Sequence, residues 1–394
     1  MKLSFKDQAF SFELLRAVSY VPYQGADLGE CLATAARIKE GDMESWYVEW
    51  HRTAGRVAEI ARHSLAGGHR VSAREAFIRA HNYYRTAEFF LKSDDPRLLP
   101  CFECSRTTFR QGMALLDTPC ETVAIPYEGT ALPGYWYSPD DSGRPRPTLL
   151  FVGGFDSTAE ELYLAGAAAA IRRGYNCLCF DGPGQGAPLR LAGMPARVDY
   201  EVPVAAAVDY LVARSEVIPE QIALMGMSLG GYYAPRAAAF EKRIAACIAY
   251  DTFFDVWNSV AKTSPLMATL EKYPGLLNIA ARLAVRFNSG LRWSVANSLW
   301  VFGAKSVAQL PDIMKQYHLR DVAGRIACPT LVLAGEKDHF VPLEQTERFM
   351  KSLTCPKTRV VFTIEEGGEE HCQVGLAHRL HQVIFDWLDE QFAR

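Results

Sequence analysis

From about residue 121 onward, short apolar segments alternate with helical ones, and this alternation most restricts how the chain can fold. The apolar segments lie at 148–152, 176–180, 221–226, 245–250, 330–335 and 359–364. The segments with helical character lie after Ser157, around 200–213, after Ser228, near 343–353 and near 374–392. Short apolar strands that alternate with helices are typical of a mostly parallel sheet with helices on both faces. The sequence therefore predicts an α/β fold.

Residues 1–120 have a different pattern and predict a helical N-terminal domain. Apolar residues recur there at spacings of three and four, which is one face of an amphipathic helix. One such helix is expected to end at Gly67-Gly68. The next is expected to open with the capping box Ser72-x-x-Glu75.

The α/β domain is expected to span residues 121–394. It starts with ETVAIPYEGTALPGYWYSP, which predicts a β-hairpin that turns at Glu128-Gly129. A helical stretch at 252–325 interrupts the strand–helix alternation. Because it cannot join the sheet, we expect it to form a helical cap over the edge where ligands bind.

Composition excludes several classes of function. The net charge is −3 and no Lys/Arg cluster stands out, so no nucleic-acid partner is expected. The chain has no apolar run of about 20 residues and no secretory signal, which predicts a cytoplasmic protein without a membrane partner. Ten irregularly spaced cysteines, including Cys101-x-x-Cys104, lack a second ligand pair and predict reduced thiols and no metal site.

The pentapeptide Gly226-Met-Ser228-Leu-Gly230 predicts a catalytic serine. It is short enough to occur by chance, but here an apolar strand leads into it and a helix follows it. That context is the sharp strand-to-helix turn that exposes a nucleophilic serine hydroxyl, and its small flanking residues allow the turn. We interpret Ser228 as a nucleophile and not as a structural serine.

A serine hydroxyl needs a histidine base that an acid orients, and after this turn the chain order is serine, acid, histidine. Asp338 follows a predicted core strand in LVLAGEKDHFVP and is the favoured acid, with Asp251 and Asp255 as competitors. Asp251 is then interpreted as a residue that anchors the cap or binds the substrate.

The favoured base is His371, which lies in the glycine-containing loop IEEGGEEHCQVG. His339 is too close to the proposed acid to be its partner. His378 and His381 are expected on the surface of the last helix.

The oxyanion of an acyl-transfer intermediate needs backbone N–H donors. The expected donors are Leu229, directly after the nucleophile, and Phe155, in the loop Gly153-Gly154-Phe155. Asp156 comes next and has two interpretations, because Ser157 and Glu160 already match a capping box. It either caps the following helix or delivers a proton to a leaving group, particularly a carbanion or enolate.

The glycine-rich segment Asp181-Gly-Pro-Gly-Gln-Gly186 also follows a strand. It lacks the Gly-Lys-Ser/Thr of a phosphate-binding loop and the glycine spacing of a dinucleotide site. It is interpreted as a structural loop, so the sequence predicts no organic cofactor.

The segments GMSLGGYYAPR, DGPGQG and GGFDST and the EKD…EEH pair resemble α/β-hydrolases. With RAHNYYRTAEFFL in a helical N-terminal segment, nearly the whole chain is similar to a smaller group, which includes 2,6-dihydroxypseudooxynicotine hydrolase and fungal polyketide-shortening hydrolases. The resemblance implies carbon–carbon bond cleavage next to ketones by Ser228, Asp338 and His371 with Asp156 as an added acid. It also implies a homodimer.

The resemblance places Tyr83 and Tyr84 on a helix that could face the substrate, although packing between helix and core is the alternative for both. The nicotine-pathway enzyme has Glu where this chain has Asp156, so the same substrate is not expected. We therefore expect a serine hydrolase that cleaves a small β-diketone, aryl ketone or polyketide.

Three alternatives to carbon–carbon cleavage stay open. An esterase, thioesterase or acyl transferase would use the same residues. A peptidase is suggested because GMSLGGY resembles prolyl-oligopeptidase-type enzymes, but the helical N-terminus leaves no room for their usual β-propeller. A non-catalytic binding module would have lost a triad member, and this chain has all three.

Overall fold

The computed structural model describes residues 3–393, which divide into two compact units. One unit comprises the described residues up to Cys120 together with Leu283–Asn297. The other comprises Glu121–Arg282 and the described residues from Ser298 onward. The segment Leu283–Asn297 was assigned to the cap from the sequence but belongs with the N-terminal helices. Trp293 in this segment stacks on Phe89, with ring centroids 4.5 Å apart.

Among the described residues of the helical unit, five α-helices precede Cys120. They are α1 (Gln8–Ser19), α2 (Leu28–Ala35), α3 (Met43–Ala66), α4 (Arg70–Glu88) and α5 (Leu98–Met113). Their apolar faces meet in a core that contains Phe10, Trp46, Trp50 and Phe77, each fully buried. The helical character predicted for this segment therefore agrees with the structure.

The boundaries of α3 and α4 test the predicted helix signals. Asp42 caps α3 by accepting the N–H groups of Glu44 and Ser45, and the helix ends at Gly67 as expected. The capping box predicted at Ser72 is wrong, because α4 begins two residues earlier, at Arg70. Gly68 has a φ of +80°, so the chain has already turned into the next helix before Ser72.

A mostly parallel sheet forms the second unit and confirms the predicted fold class. Its strands are β1 (Cys120–Tyr127), β2 (Thr130–Tyr137), β3 (Arg146–Val152), β4 (Asn176–Phe180), β5 (Val217–Met227), β6 (Ala246–Tyr250), β7 (Thr330–Gly335) and β8 (Lys357–Phe362). Among the described residues the strand order is β1-β2-β4-β3-β5-β6-β7-β8. β2 pairs antiparallel with β4, and the pairs from β4 to β8 are parallel. The hairpin turns at Glu128 and Gly129, both with positive φ, as predicted.

Every residue of β4, β6 and β7 is buried. Successive side chains of a strand point to opposite faces of the sheet, so both faces of these strands are covered. The helices that precede the cap are α6 (Ala159–Leu162), α7 (Ala168–Arg172), α8 (Gly186–Ala192), α9 (Glu201–Val212) and α10 (Gly230–Phe240). α6 and α7 are joined by a π-helical turn at Tyr163–Ala167.

The predicted interruption between β6 and β7 is helical. It contains α11 (Val256–Thr263), α12 (Pro265–Leu270), α13 (Pro274–Ala284), α14 (Ser289–Val301) and α15 (Leu310–Met314). α16 (Leu343–Ser352) and α17 (Ala377–Phe392) follow in the resumed alternation. Among residues 3–393, no helix combines the length and the apolar character that crossing a membrane requires.

The turn from β5 into α10 holds Ser228 at the carboxyl end of the sheet. Ser228 has a φ of +60°, which a side-chain-bearing residue adopts only when its surroundings impose it. A Cβ on Gly226 would lie 2.0 Å from the carbonyl oxygen of Gly230, and a Cβ on Gly230 would lie 2.7 Å from the carbonyl oxygen of Gly153. Only glycine fits at these two positions, as the sequence motif predicted.

Replacing Gly226 with Ala should therefore destabilise the protein strongly. The obstructing atoms belong to the backbone and cannot rotate away, so we expect a loss of about 3 kcal/mol or more in the free energy of unfolding. Urea denaturation followed by circular dichroism would measure it. Gly275→Ala in α13 is the matched control, because nothing lies within 4 Å of its added Cβ. Equal stability of the two variants would contradict this account.

Candidate active site

The structure brings Ser228, His371 and Asp338 together at the carboxyl edge of the sheet. The hydroxyl oxygen of Ser228 lies 2.8 Å from Nε2 of His371. Nδ1 of the same imidazole lies 2.6 Å from Oδ2 of Asp338. Because a neutral imidazole donates from one nitrogen and accepts at the other, Nδ1–H donates to Asp338 and Nε2 accepts the serine proton. Three residues predicted from separate sequence motifs thus form one continuous hydrogen-bonded row.

The loop after β7 holds Asp338 by its other carboxylate oxygen. Oδ1 accepts the backbone N–H groups of Phe340 and Val341, both at 2.8 Å. Oδ2 is therefore left to face His371, and the side chains of both residues are almost completely buried. Among the candidate acids, Asp338 has the shortest distance to the imidazole, whereas Asp255 caps α11.

Asp251 was predicted to anchor the cap or bind the substrate, but its carboxylate points into the loop that carries His371. Oδ2 accepts the N–H of Cys372 at 2.5 Å, and Oδ1 accepts the side-chain amide of Gln373 at 3.1 Å. Oδ2 also lies 3.7 Å from Nδ1 of His371. Asp251 is 1% exposed, and these contacts make it a buried support of the loop that carries His371.

Gln373 and Tyr250 also hold the loop that carries His371, although neither lies in a motif that predicts a functional role. The hydroxyl of Tyr250 donates to the carbonyl oxygen of Cys372 at 2.5 Å, and Cys372 has a φ of +55°. No sequence motif marks either contact, because Tyr250 lies more than a hundred residues before the loop. Only the folded sheet brings β6 beside it.

The pKa values of Asp251 and His371 are shifted by burial and by nearby charged groups. Burial, reinforced by the negative charge of Asp338, raises the pKa of Asp251 to about 7. Burial opposes the charge on His371, but the negative charge of Asp338, its hydrogen bond to the imidazole and the neighbouring Cys372 together raise the pKa of the imidazole above its usual value. Asp251, His371 and Cys372 also present possible metal-ligand atoms within 4.8 Å of one another. In His371, however, Nδ1 already bonds to Asp338.

The other three histidines offered by the sequence differ in their surroundings, and the ring centroid of His339 lies 6.4 Å from that of His371. Nδ1 of His339 lies 3.3 Å from a carboxylate oxygen of Glu370. His378 is exposed as predicted, but His381 is buried, and its Nε2 bonds to the carbonyl oxygen of Ala165 at 2.8 Å. Burial lowers the pKa of His381 to about 4, so it is a neutral packing residue and not a surface group.

The loop after β3 touches the nucleophile turn. A Cβ on Gly154 would lie 2.8 Å from Cβ of Ser228 and 3.1 Å from the backbone nitrogen of Leu229. The backbone that leads into Phe155 thus lies against the residue whose N–H follows the serine. Leu229 is the N-cap residue of α10, where N–H groups have no intrahelical acceptor and the helix dipole is positive. Both proposed oxyanion donors therefore belong to segments in direct contact.

The capping box predicted beside Asp156 is displaced by one residue. α6 begins at Ala159, and its cap is Thr158, whose hydroxyl accepts the N–H of Glu161. Ser157 instead accepts the N–H of Gly154 at 3.0 Å, because its side chain points back into the loop. Helix capping therefore falls to Thr158 and not to Asp156, which is partly exposed next to Phe155.

Tyr83 and Tyr84 were proposed to bind the substrate, but both pack inside the helical unit. The hydroxyl of Tyr83 donates to Glu30 and accepts the N–H of Asp27, each at 2.8 Å, and its side chain is fully buried. A Cβ on Gly55 of α3 would lie 3.6 Å from the hydroxyl of Tyr84, which is 6% exposed. The packing alternative describes these two residues better.

Several known proteins are similar to this chain. A model of the alpha/beta hydrolase family matches residues 132–383. The hydrolase acrC of Aspergillus aculeatus is 38% identical over 97% of this chain and 96% of its own length. The 20-hydroxy-prefusarin hydrolase FUS2 of Gibberella moniliformis is 37% identical over 99% of this chain and 98% of its own.

A solved structure is also similar over nearly the whole chain. The crystal structure of the 2,6-dihydroxy-pseudo-oxynicotine hydrolase superimposes with a TM-score of 0.76 at 26% identity. The match covers 94% of each chain, so it includes the N-terminal helices as well as the sheet. The resemblance stated from the sequence motifs is thereby confirmed.

Replacing Asp251 with Asn should change how stability depends on pH. The folded pKa of about 7 lies above the ordinary value of about 3.9, so protonation of Asp251 stabilises the fold at low pH. That contribution is lost as the pH rises through 7, and asparagine does not lose it. Asp251→Asn should therefore become more stable relative to the wild type between pH 4 and pH 8.

Urea denaturation at several pH values would measure this difference. Each pH unit in this window contributes at most about 1.4 kcal/mol. The exposed Asp94→Asn is the control for replacing a carboxylate by an amide. If the free energies of unfolding of Asp251→Asn and the wild type differ by the same amount at every pH, the raised pKa of Asp251 is contradicted.

Proposed function

The chain belongs to the alpha/beta hydrolase family, and we propose that it is a serine hydrolase with Ser228 as nucleophile, His371 as general base and Asp338 as the acid that orients the base. The observation that carries the proposal is the pair of hydrogen bonds on His371. The imidazole lies 2.8 Å from the serine oxygen on one side and 2.6 Å from the carboxylate on the other. That is the reach needed for proton transfer and for orienting the base.

In the proposed reaction, the hydroxyl of Ser228 attacks a substrate carbonyl carbon while Nε2 of His371 takes its proton. Asp338 stabilises the imidazolium that forms, in keeping with its effect on the pKa of His371. The negative charge on the substrate oxygen faces the N–H groups of Leu229 and Phe155. The bond to the leaving group then breaks, the leaving group takes up the proton that His371 removed from Ser228, and an acyl-enzyme with a neutral His371 remains.

Water completes the cycle. It gives a proton to His371 and attacks the acyl carbon, and Ser228 leaves with that proton restored. One water molecule is consumed, and the products are a carboxylic acid and the protonated leaving group. These steps are the same whether the bond that breaks is carbon–carbon, ester or thioester, so the triad alone does not select the substrate.

We propose a small-molecule ketone as the substrate, such as a β-diketone or a polyketide-like compound, and cleavage at carbon. Two proteins similar over nearly the whole chain are named for hydrolysis of small organic molecules, 20-hydroxy-prefusarin and 2,6-dihydroxy-pseudo-oxynicotine. Cleavage at carbon expels an enolate, which must be protonated. Asp156 is proposed to pass the proton that His371 took from Ser228 on to the enolate, since it adjoins Phe155 and Thr158 caps the helix in its place.

An esterase, thioesterase or acyl transferase is the alternative that shares the triad. An alkoxide or thiolate leaving group can be protonated by His371 alone. The two possibilities therefore differ in whether Asp156 is needed.

The serine mechanism predicts covalent labelling. A fluorophosphonate probe should modify Ser228 stoichiometrically, and Ser228→Ala should remain unlabelled and lose about 10⁴-fold or more in turnover. Intact-protein mass spectrometry and peptide mapping would measure the labelling. Ser259→Ala, which removes a fully buried serine hydroxyl in α11, is the control and should label like the wild type. An unlabelled wild type would overturn the serine mechanism.

The carbon–carbon assignment predicts a selective effect of Asp156→Asn. Turnover of a β-diketone should fall about 10²-fold, in the range for loss of a general acid. Turnover of a p-nitrophenyl ester should stay near the wild-type value, because its leaving group is stable as an anion. Asp156→Glu restores a carboxyl group and should recover part of the diketone activity. Equal losses on both substrates, or no loss on either, would remove Asp156 from the mechanism.

A further inference from the structure

The glycine-rich segment 181–186, interpreted from the sequence as a structural loop, holds the loop that carries the proposed oxyanion donor. Gln185 lies in this segment and is 2% exposed. Its side-chain Nε2 donates to the carbonyl oxygen of Gly153 at 2.6 Å and to that of Gly154 at 3.1 Å. One amide group thus bonds two consecutive carbonyls directly before Phe155.

The other end of the amide is equally engaged. Oε1 of Gln185 accepts the backbone N–H of Gly182 at 3.0 Å and the hydroxyl of Tyr200 at 2.6 Å. A backbone N–H can only donate and a backbone carbonyl can only accept. The chemistry of the four partners therefore determines which end of the amide is oxygen and which is nitrogen.

Peptide geometry links these bonds to the oxyanion donor. The carbonyl of Gly154 and the N–H of Phe155 belong to the same peptide group, which is planar and trans, so they point in opposite directions. The described chain has no cis peptide bonds. When Gln185 holds the carbonyl of Gly154, it also determines where the N–H of Phe155 points.

The preceding peptide group, between Gly153 and Gly154, is hydrogen-bonded at its carbonyl and at its N–H. The carbonyl of Gly153 accepts from Gln185, and the N–H of Gly154 donates to Oγ of Ser157 at 3.0 Å. Two consecutive peptide planes are therefore restrained. This matters because glycine alone offers the backbone many conformations.

Tyr200 connects Gln185 and its hydrogen bonds to α10, the helix that follows Ser228. Its ring stacks on Tyr233 of α10, with centroids 3.7 Å apart and an angle of 11° between the ring planes. Its hydroxyl donates to Gln185. The chain of contacts runs from α10, which begins next to Leu229, through Tyr200 and Gln185 to Gly154. The two proposed oxyanion donors are thereby restrained relative to each other.

We propose that Gln185 is a positioning residue for the oxyanion site, whose side-chain amide aims the N–H of Phe155 at the substrate oxygen. This inference rests on the proposed serine hydrolase function and adds a residue that does not itself touch the substrate. Oxyanion donors act on the transition state and contribute little to substrate binding. Loss of the four hydrogen bonds of Gln185 should therefore lower kcat and leave KM nearly unchanged.

The test compares full-length Gln185→Met with the wild type. Methionine has a similar length but makes none of the four hydrogen bonds. We expect kcat on a p-nitrophenyl ester to fall about 10- to 100-fold, as for a displaced or lost oxyanion donor, with KM within about twofold. The rate constant of fluorophosphonate labelling should fall by a similar factor. The final labelling stoichiometry and the midpoint of the pH–rate profile should not change.

Gln345→Met is the matched control. Gln345 is also fully buried, and its amide accepts from the N–H of Asp255 and donates to the side chain of Asn258. A purely structural contribution of a buried glutamine would reduce stability or labelling stoichiometry in both variants. Only Gln185→Met should slow labelling of correctly folded protein. Wild-type kcat and labelling rate in Gln185→Met would overturn the proposal.

Tyr200→Phe provides a second test of the proposal if Gln185→Met does not fold. It removes one hydrogen bond to the amide and leaves the tyrosine ring in place, so a smaller fall of about 3- to 10-fold in labelling rate is expected. A wild-type rate in Tyr200→Phe would then overturn the proposal. If the wild type itself is not labelled at Ser228, the serine mechanism fails first. If the wild type is labelled and both variants match it, only the inference about Gln185 fails.

Discussion

The geometry of the candidate active site depends on one buried imidazole that makes two hydrogen bonds. His371 comes from the loop after β8, its hydroxyl partner from the turn after β5 and its carboxylate partner from the loop after β7. Parallel strands place these three loops at the same edge of the sheet. Burial alone would make a charged imidazole unfavourable, and the adjacent carboxylate reverses that balance. The proposed chemistry therefore depends on the register of the central strands.

Close backbone approach is the second constraint. Side chains longer than hydrogen would collide with backbone at Gly154, Gly226 and Gly230, so the nucleophile turn and the loop after β3 can touch directly. In the proposed mechanism, such contacts bring N–H groups towards the substrate oxygen without any charged side chain. They also leave the glycine-rich backbone conformationally free, which is why surrounding hydrogen bonds from Ser157 and Gln185 matter.

The predictions that differ from the structure share a cause. Ser72 and Ser157 match helix-capping patterns, but α4 begins two residues before Ser72, after a turn at Gly68, and Ser157 bonds back to Gly154 while Thr158 caps α6. Asp251 was interpreted as anchoring the cap or binding the substrate because it ends a strand, and the family resemblance placed Tyr83 on a helix that could face the substrate. Their actual partners, the histidine loop and Glu30, are distant in the sequence. Local patterns cannot identify such partners.

The sequence by itself determined the order of strands and helices, the turn at Ser228 and the identity of the triad candidates. These features depend on apolar periodicity and on small residues at fixed local spacing, which a linear chain displays. Only the tertiary structure decided which carboxylate bonds to His371. Oδ2 of Asp338 lies 2.6 Å from Nδ1 of His371, whereas Oδ2 of Asp251 lies 3.7 Å from it. The tertiary structure also decided that the side chain of Gln185 bonds to the carbonyls of the loop after β3. The reason is that hydrogen bonds form over about 3 Å between groups that the sheet brings together from distant parts of the chain.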